Sequence, residues 1–158
     1  MIPTMLVKAV AKQVREATKL YKMQAEGQED KPVTVYEQHI PDEEYEDDTY
    51  YPYVIVSCQN VEDIEDGSTA TIGLTIGVYG QDKLAWMDML SIMERIRQRL
   101  LLVRLLDDMF RLILPTKFET IENQPYPFWF GYGTLVYQIP QPNAQMAMKL
   151  NAIMEEDN

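Results

Sequence analysis

His39 and Cys58 are each the sole residue of their type in the chain, and together they narrow the chemistry on offer. Nucleophilic catalysis needs a Ser, Cys or Thr beside a base, and no serine or cysteine near His39 forms such a motif. His39 reads as a loop histidine beside an acidic stretch. Cys58 falls in an apolar run and reads as a small buried side chain. A structural zinc site needs several thiolate or imidazole ligands, so one Cys and one His exclude it. Carboxylates are abundant, but their spacing pairs no two of them as the acid and base of a glycosidase. Asp63, Glu65, Asp66 and Gly67 distantly resemble a calcium loop, with the glycine misplaced and no bidentate acid at the required distance. Gly73, Gly77, Gly80, Gly131 and Gly133 match neither a P-loop nor a dinucleotide fingerprint. The residues therefore imply no cofactor, no metal and no enzyme.

Charge is the more informative signal. The formal net charge is -11, a surface that repels phosphate backbones and anionic lipid and disfavours tight nucleic-acid binding. Residues 1–24 run against this trend, with Lys8, Lys12, Arg15, Lys19 and Lys22 against Glu16 alone. Those cations step by three and four residues, which makes one stripe on a helix. Such a stripe is either the wet side of that helix or a contact with acids of a neighbouring subunit. Opposite charges on separate parts of one chain suit head-to-tail closure into a ring. In the aromatic run Tyr126, Phe128, Trp129, Phe130, Tyr132 and Tyr137, alternation sets Phe128 and Phe130 against Trp129. If the first two face the core, Trp129 becomes a candidate interface anchor.

The elements that must position these groups are legible from periodicity. Residues 3–24 read as a helix, with Pro3 in its first turn and Leu6, Val7, Val10, Val14, Ala17 and Tyr21 on its buried face. Val33 to Tyr36 reads as a short edge strand, and 41–52 as a polar loop bounded by Pro41 and Pro52. Tyr53 to Val61 and Thr69 to Tyr79 read as a hairpin around an acidic turn holding Glu62, Asp63, Glu65 and Asp66. In its second strand Ile72, Leu74, Ile76 and Val78 alternate with Thr71, Gly73, Thr75 and Gly77. Asp82 reads as the N-cap of a second helix reaching about Leu102. Trp86, Leu90, Met93, Ile96, Leu100 and Val103 are expected on its buried face, with Asp88, Ser91, Arg95 and Arg99 opposite. Phe110 to Leu114 and Phe118 to Ile121 read as extended segments broken by Pro115. Phe128 to Ile139 reads as a strand with a bulge at Gly131 and Gly133. The implied fold is α+β, a largely antiparallel sheet with two main helices on one face. Residues 1–142 form one domain in this reading, and 143–158 a C-terminal arm or acidic tail.

The lone cysteine excludes an intrachain disulfide and suits a reducing compartment. Lys8, Lys12 and Arg15 interrupt the N-terminal apolar residues, so no signal peptide is read there. No run is long and uncharged enough to span a bilayer. The expectation is a cytoplasmic protein with no membrane partner.

Several stretches look familiar together. Tyr51-Pro52-Tyr53-Val54-Ile55-Val56 precedes Ala70-Thr71-Ile72-Gly73-Leu74-Thr75-Ile76-Gly77-Val78-Tyr79. The helix Trp86-Met87-Asp88-Met89-Leu90-Ser91-Ile92-Met93-Glu94-Arg95-Ile96-Arg97 follows. Gln124-Pro125-Tyr126-Pro127-Phe128-Trp129-Phe130-Gly131 and Ile139-Pro140-Gln141-Pro142 complete the set. Across residues 3–142 the chain resembles small tail proteins from prophages of Gram-positive bacteria, similar to the tail-terminator or tail-completion family of long-tailed phages. The resemblance implies a virion structural protein, assembled in the host cytoplasm, whose subunits form a hexameric ring. Such rings cap the tail tube protein, stop its polymerisation and present a surface to the head-tail connector protein, while DNA passes through without specific binding. It implies no catalytic residues. An acidic lining would keep DNA mobile. The candidates for that lining, or for a partner-facing surface, are Asp42, Glu43, Glu44, Glu46, Asp47 and Asp48 in one group and Glu62, Asp63, Glu65 and Asp66 in the other.

Other readings compete. Within virions the rival is another neck or head-closure component. The net charge also fits an acidic DNA-mimic inhibitor, which would be a monomer or dimer. An enzyme built from scattered acids would lose activity on a specific Asp or Glu substitution.

Overall fold

The computed structural model describes residues 2–40, 47–142 and 151–155. Helix α1 spans Ile2–Thr18 and β1 Thr34–Glu37; β2 (Tyr53–Ile64) and β3 (Gly67–Tyr79) follow. Helix α2 spans Leu84–Leu102, and β4 (Leu105–Leu106), β5 (Phe110–Thr120) and β6 (Phe128–Ile139) complete the chain's main elements. The six strands form one sheet in the order β1-β2-β3-β6-β5-β4. Every pairing is antiparallel except β1 with β2, which is parallel. This is the expected α+β class, with both helices packed on one sheet face.

Alternation decides which side chains meet the helices. Ala70, Ile72, Leu74, Ile76 and Val78 of β3 share a core with Leu6, Val10 and Val14 of α1 and with Met89, Ile92 and Ile96 of α2. The opposite face carries a second cluster around Ile40, Tyr51, Tyr53 and Phe130, flanked by Tyr36, Tyr79, Phe128 and Tyr132. Ring centroids of Tyr51 and Phe128 lie 5.0 Å apart, and those of Tyr51 and Tyr53 4.7 Å. Both faces of this sheet are thus apolar in part.

Several boundaries differ from the sequence expectation. Helix α1 stops at Thr18, not residue 24. The Thr18 hydroxyl donates back to the Val14 carbonyl at 2.9 Å, a bond that competes with helix continuation. Strand β2 runs on to Ile64, so Glu62 and Asp63 belong to the strand and only Glu65 and Asp66 form the turn. Gly67 closes that turn with a φ of 151°, a conformation suited to glycine. Pro115 does not break β5; the strand absorbs it through a register shift between Ile113 and Lys117. The bulge expected at Gly131 and Gly133 is absent, because β6 pairs with β3 without a break. A β-carbon at Gly131 would lie 2.5 Å from the Met93 methyl, and one at Gly133 2.9 Å from the Phe118 ring. Close approach of Phe118 leaves no room for a β-carbon at 133, whereas only the flexible ends of Met93 and Met89 sit over Gly131.

Candidate assembly surfaces

The basic stripe of α1 is largely spent inside the chain. Lys8 donates to Glu37 at 2.9 Å, and Arg15 donates to the same carboxylate at 3.1 Å and to the Val35 carbonyl at 3.2 Å. The helix thereby grips the edge strand β1. The Lys8 hydrogen bond, then that of Arg15, holds the Glu37 carboxyl below its ordinary value. Lys19 pairs with Glu16 one turn back. Lys19 and Lys22 lie beyond the helix end at Thr18, so the stripe on the helix itself stops at Arg15. Lys12 and Lys22 are exposed and, among the described residues, make no ion pair.

The acids divide similarly. Asp42, Glu43, Glu44 and Glu46 lie outside the described residues. Asp47 caps a 3-10 turn at Asp48–Tyr50 and accepts the Thr49 amide at 3.0 Å. The Thr49 hydroxyl and then its amide hold the Asp47 carboxyl below its usual value. Asp48 is exposed. Glu62, Asp63, Glu65 and Asp66 gather at the far end of the β2–β3 hairpin, where Asp63 accepts from Ser68. Beyond Glu37 and Val56 no strand among the described residues covers the outer edge of β2. The Gln38 side-chain amide takes that place for one residue, bonding both the amide and the carbonyl of Cys58. Residues 59–64 are then exposed. Gln141 donates to the Ile64 carbonyl at 2.7 Å and to the Ser68 hydroxyl at 3.1 Å, strapping the chain after β6 to the hairpin tip. No cluster of three or more metal-ligating side chains occurs among the described residues.

Trp129 sits on the helix side of the sheet, half-buried against the main core. Its indole N–H donates to the Gly80 carbonyl at 3.1 Å, and its ring meets Tyr126 edge-on at 6.1 Å. The expected division of faces holds, but it assigns Phe128 and Phe130 to the second cluster and Trp129 to the side packed on the helices. His39 is exposed just after β1, and burial raises the Cys58 thiol above its ordinary value.

Helix α2 departs most from its sequence reading. Its buried residues include Ala85, Asp88, Met89, Ile92, Met93, Ile96 and Leu100. Trp86 and Leu90, expected inside, are 42% and 41% exposed, and Asp88, expected outside, is 0% exposed. Asp88 accepts the Tyr21 hydroxyl and the amides of Gln24 and Ala25. Lys83, not the expected Asp82, holds the cap position before α2; Asp82, one residue earlier, accepts the Leu84 amide at 3.1 Å and the Glu26 amide at 2.9 Å. The two aspartates thus tie the segment after α1 to the start of α2. With Trp86 and Leu90 turned outward, α2 and β5 frame an open groove of about 460 Å³, lined by Leu90, Met93, Glu94, Arg97, Thr116 and Phe118. This groove was not read from the sequence, because the register of α2 hides which apolar residues face out.

No family model matches the chain, and no curated protein matches it. Among solved structures, a chain of one described as "Virion of native gene transfer agent (GTA) particle" shares the fold. The TM-score is 0.51 at 12% sequence identity, over 86% of this chain and 95% of that one.

Proposed function

We propose that this chain is a phage virion structural protein, and within the virion a tail terminator. The observation that carries the reading is the shared fold, which spans 95% of a chain from a gene transfer agent virion. A protein of this kind works through surfaces fitted to copies of itself and to its neighbours, without catalysis. In this reading residues 1–142 are the body of a ring subunit and 143–158 an arm. Six copies close the ring in the host cytoplasm, cap the tail tube protein and offer a face to the head-tail connector protein. The described residues support an oriented, head-to-tail contact. Acids cluster at the hairpin tip through Glu62, Asp63, Glu65 and Asp66, while Lys12 and Lys22 stay unpaired among the described residues. The same acids, with those at 42–48, would repel DNA phosphates from a channel wall.

The test is deletion of the gene from its parent phage, followed by electron microscopy. Headless tails of uncontrolled length support termination. Tails of normal length assign the protein to another neck position, and unaltered particles remove it from the virion.

A further inference from the structure

We propose that Leu20 of one copy docks in a cavity beside Cys58 of a neighbouring copy. The proposal rests on the reading above and names how the oriented contact between copies is made. Leu20 is 77% exposed, just past the end of α1. The chain holds it there. The Lys19 amide donates to the Arg15 carbonyl at 2.9 Å, and the Tyr21 amide to the Thr18 carbonyl at 3.0 Å. The Tyr21 hydroxyl and the amides of Gln24 and Ala25 are all bound to the buried Asp88. With the residues on either side fixed, Leu20 is a preorganised apolar knob, and docking it orders little further chain. Lys22, two residues on, is exposed and makes no ion pair among the described residues.

The cavity lies at the other end of the same helix. Strand β1 ends at Glu37, and Gln38 leaves its line with a φ of 74°. Between the first turns of α1 and the edge of β2 this opens a cavity of about 410 Å³. Pro3, Val7 and Cys58 give it apolar walls, and the Lys8–Glu37 ion pair lies at its polar side. Next along β2 come the exposed residues 59–64. Glu62, Asp63, Glu65 and Asp66 there make no ion pair among the described residues. A Leu20 seated beside Cys58 brings its own Lys22 toward these carboxylates, so the contact pairs charges that each copy leaves unmatched. The chain cannot fill its own cavity. Pro3 and Thr18 stand fifteen residues apart on α1, about 22 Å at ~1.5 Å per residue. A contact of like with like sets lysine against lysine or acid against acid. The contact is therefore heterologous: each copy gives a knob to one neighbour and receives one from another, the arrangement that builds rings.

Disulfide trapping in the full chain tests this, with the native Cys58 as reporter. Leu20→Cys chains under mild oxidation should give linked copies on a non-reducing gel. At least tenfold less is expected from Leu102→Cys, at a residue 81% exposed at the end of α2. Equal yields, or no linked copies, overturn the proposal. Linkage that survives addition of Cys58→Ser joins the new cysteines to each other and overturns it too. Two further variants probe the contact without cysteine chemistry. Leu20→Ser removes the knob, and Thr4→Trp, at an exposed position on the cavity, fills it. Each alone should weaken self-association at least tenfold by sedimentation, with the circular dichroism spectrum unchanged. Mixed, the two should form dimers, because one intact knob and one intact cavity remain. A wild type that stays monomeric, a mixture without dimers, or either variant associating as tightly as the wild type overturns the proposal and leaves the cavity to a different protein. Tails that terminate normally with Leu20→Ser sink this contact and leave termination standing. Linked copies of a chain that never enters particles do the reverse.

Discussion

The Tyr21 hydroxyl donates to the Asp88 carboxylate at 2.5 Å, joining residues 67 positions apart in sequence. The same carboxylate accepts the Gln24 amide at 2.8 Å and, through its other oxygen, the Ala25 amide at 2.8 Å. A fully buried carboxyl is tolerated only where its lone pairs are filled, and here backbone and phenol donors fill them. The Arg95 guanidinium lies 5.1 Å from the Tyr21 ring centre, adding a cation–π contact on the same side. The loop leaving α1 is held on α2 by this node and by Asp82.

Replacing Asp88 should therefore destabilise the protein far more than its apparent place on a polar helix face implies. Asp88→Asn keeps the shape but turns an amide NH2 toward donors, leaving buried N–H groups unmatched at a cost of about 2–4 kcal/mol. Tyr21→Phe removes one donor and should cost about 1–2 kcal/mol. Denaturant melts of the two variants check the order. Equal, sub-kcal losses would show that the node carries no stability.

The same contact sets a response to alkali. Burial first, and then the hydrogen bond to Asp88, raises the Tyr21 phenol from its ordinary value of 10.0 to about 12. Between those values the unfolded chain loses its phenol proton and the folded chain keeps it, so stability falls as pH rises through that window. Below it the contribution is complete. Wild type should lose stability between pH 10 and 12 more steeply than Tyr21→Phe, read from melting temperature against pH.

Arg15 and Lys12 should separate folding from assembly. Arg15 is committed to Glu37 and Val35, and Lys8 shares Glu37. Arg15→Glu should lower stability by about 1 kcal/mol, the scale of a partly exposed ion-pair network. Lys12→Glu should leave the melt unchanged and weaken self-association, read by sedimentation. Because Glu37 is held below its ordinary 4.5, its contribution is present above that pH and fades as acid takes the carboxylate through its lower folded value. A Lys12→Glu chain that assembles normally removes the helix from the interface.

Where a single periodicity governed a segment, the sequence was readable. The alternation of Ile72, Leu74, Ile76 and Val78 could bury only one face, and the apolar face of α1 through Leu6, Val10 and Val14 had no competitor. Helix α2 offered two apolar stripes, one through Trp86 and Leu90 and another through Ala85, Met89, Ile92 and Ile96. Local pattern cannot rank them, because the choice is made by the buried partners of Asp88. Two of those partners are the backbone amides of residues 24 and 25, which leave no side-chain signature, and the third is the hydroxyl of Tyr21, beyond the end of α1. The parallel pairing of β1 was hidden for a related reason: the segment joining it to β2 resembles a hairpin loop in composition. For the candidate surfaces, residue type identified charge and aromaticity correctly, but not that Glu37 claims Lys8 and Arg15, nor that Gly80 claims the Trp129 indole.

The glycines of β6 give the sharpest test of how the groove is built. A β-carbon at 131 would meet the Met93 methyl at 2.5 Å and the Met89 sulfur at 2.7 Å, both ends of flexible chains that can swing aside. A β-carbon at 133 would meet the Phe118 ring at 2.9 and 3.1 Å and the Leu74 β-carbon at 3.4 Å, where one neighbour is rigid and the other is fixed to the backbone. Overpacking costs about 1–3 kcal/mol where neighbours cannot adapt. Gly133→Ala should sit in that range, and Gly131→Ala should cost under about 1 kcal/mol because higher strand propensity offsets part of the strain. The Gly133 substitution pushes Phe118 outward, toward the groove that it lines between α2 and β5. If Gly133→Ala is neutral by denaturant melting, the Phe118 ring is free to move aside and does not fix the floor of the groove.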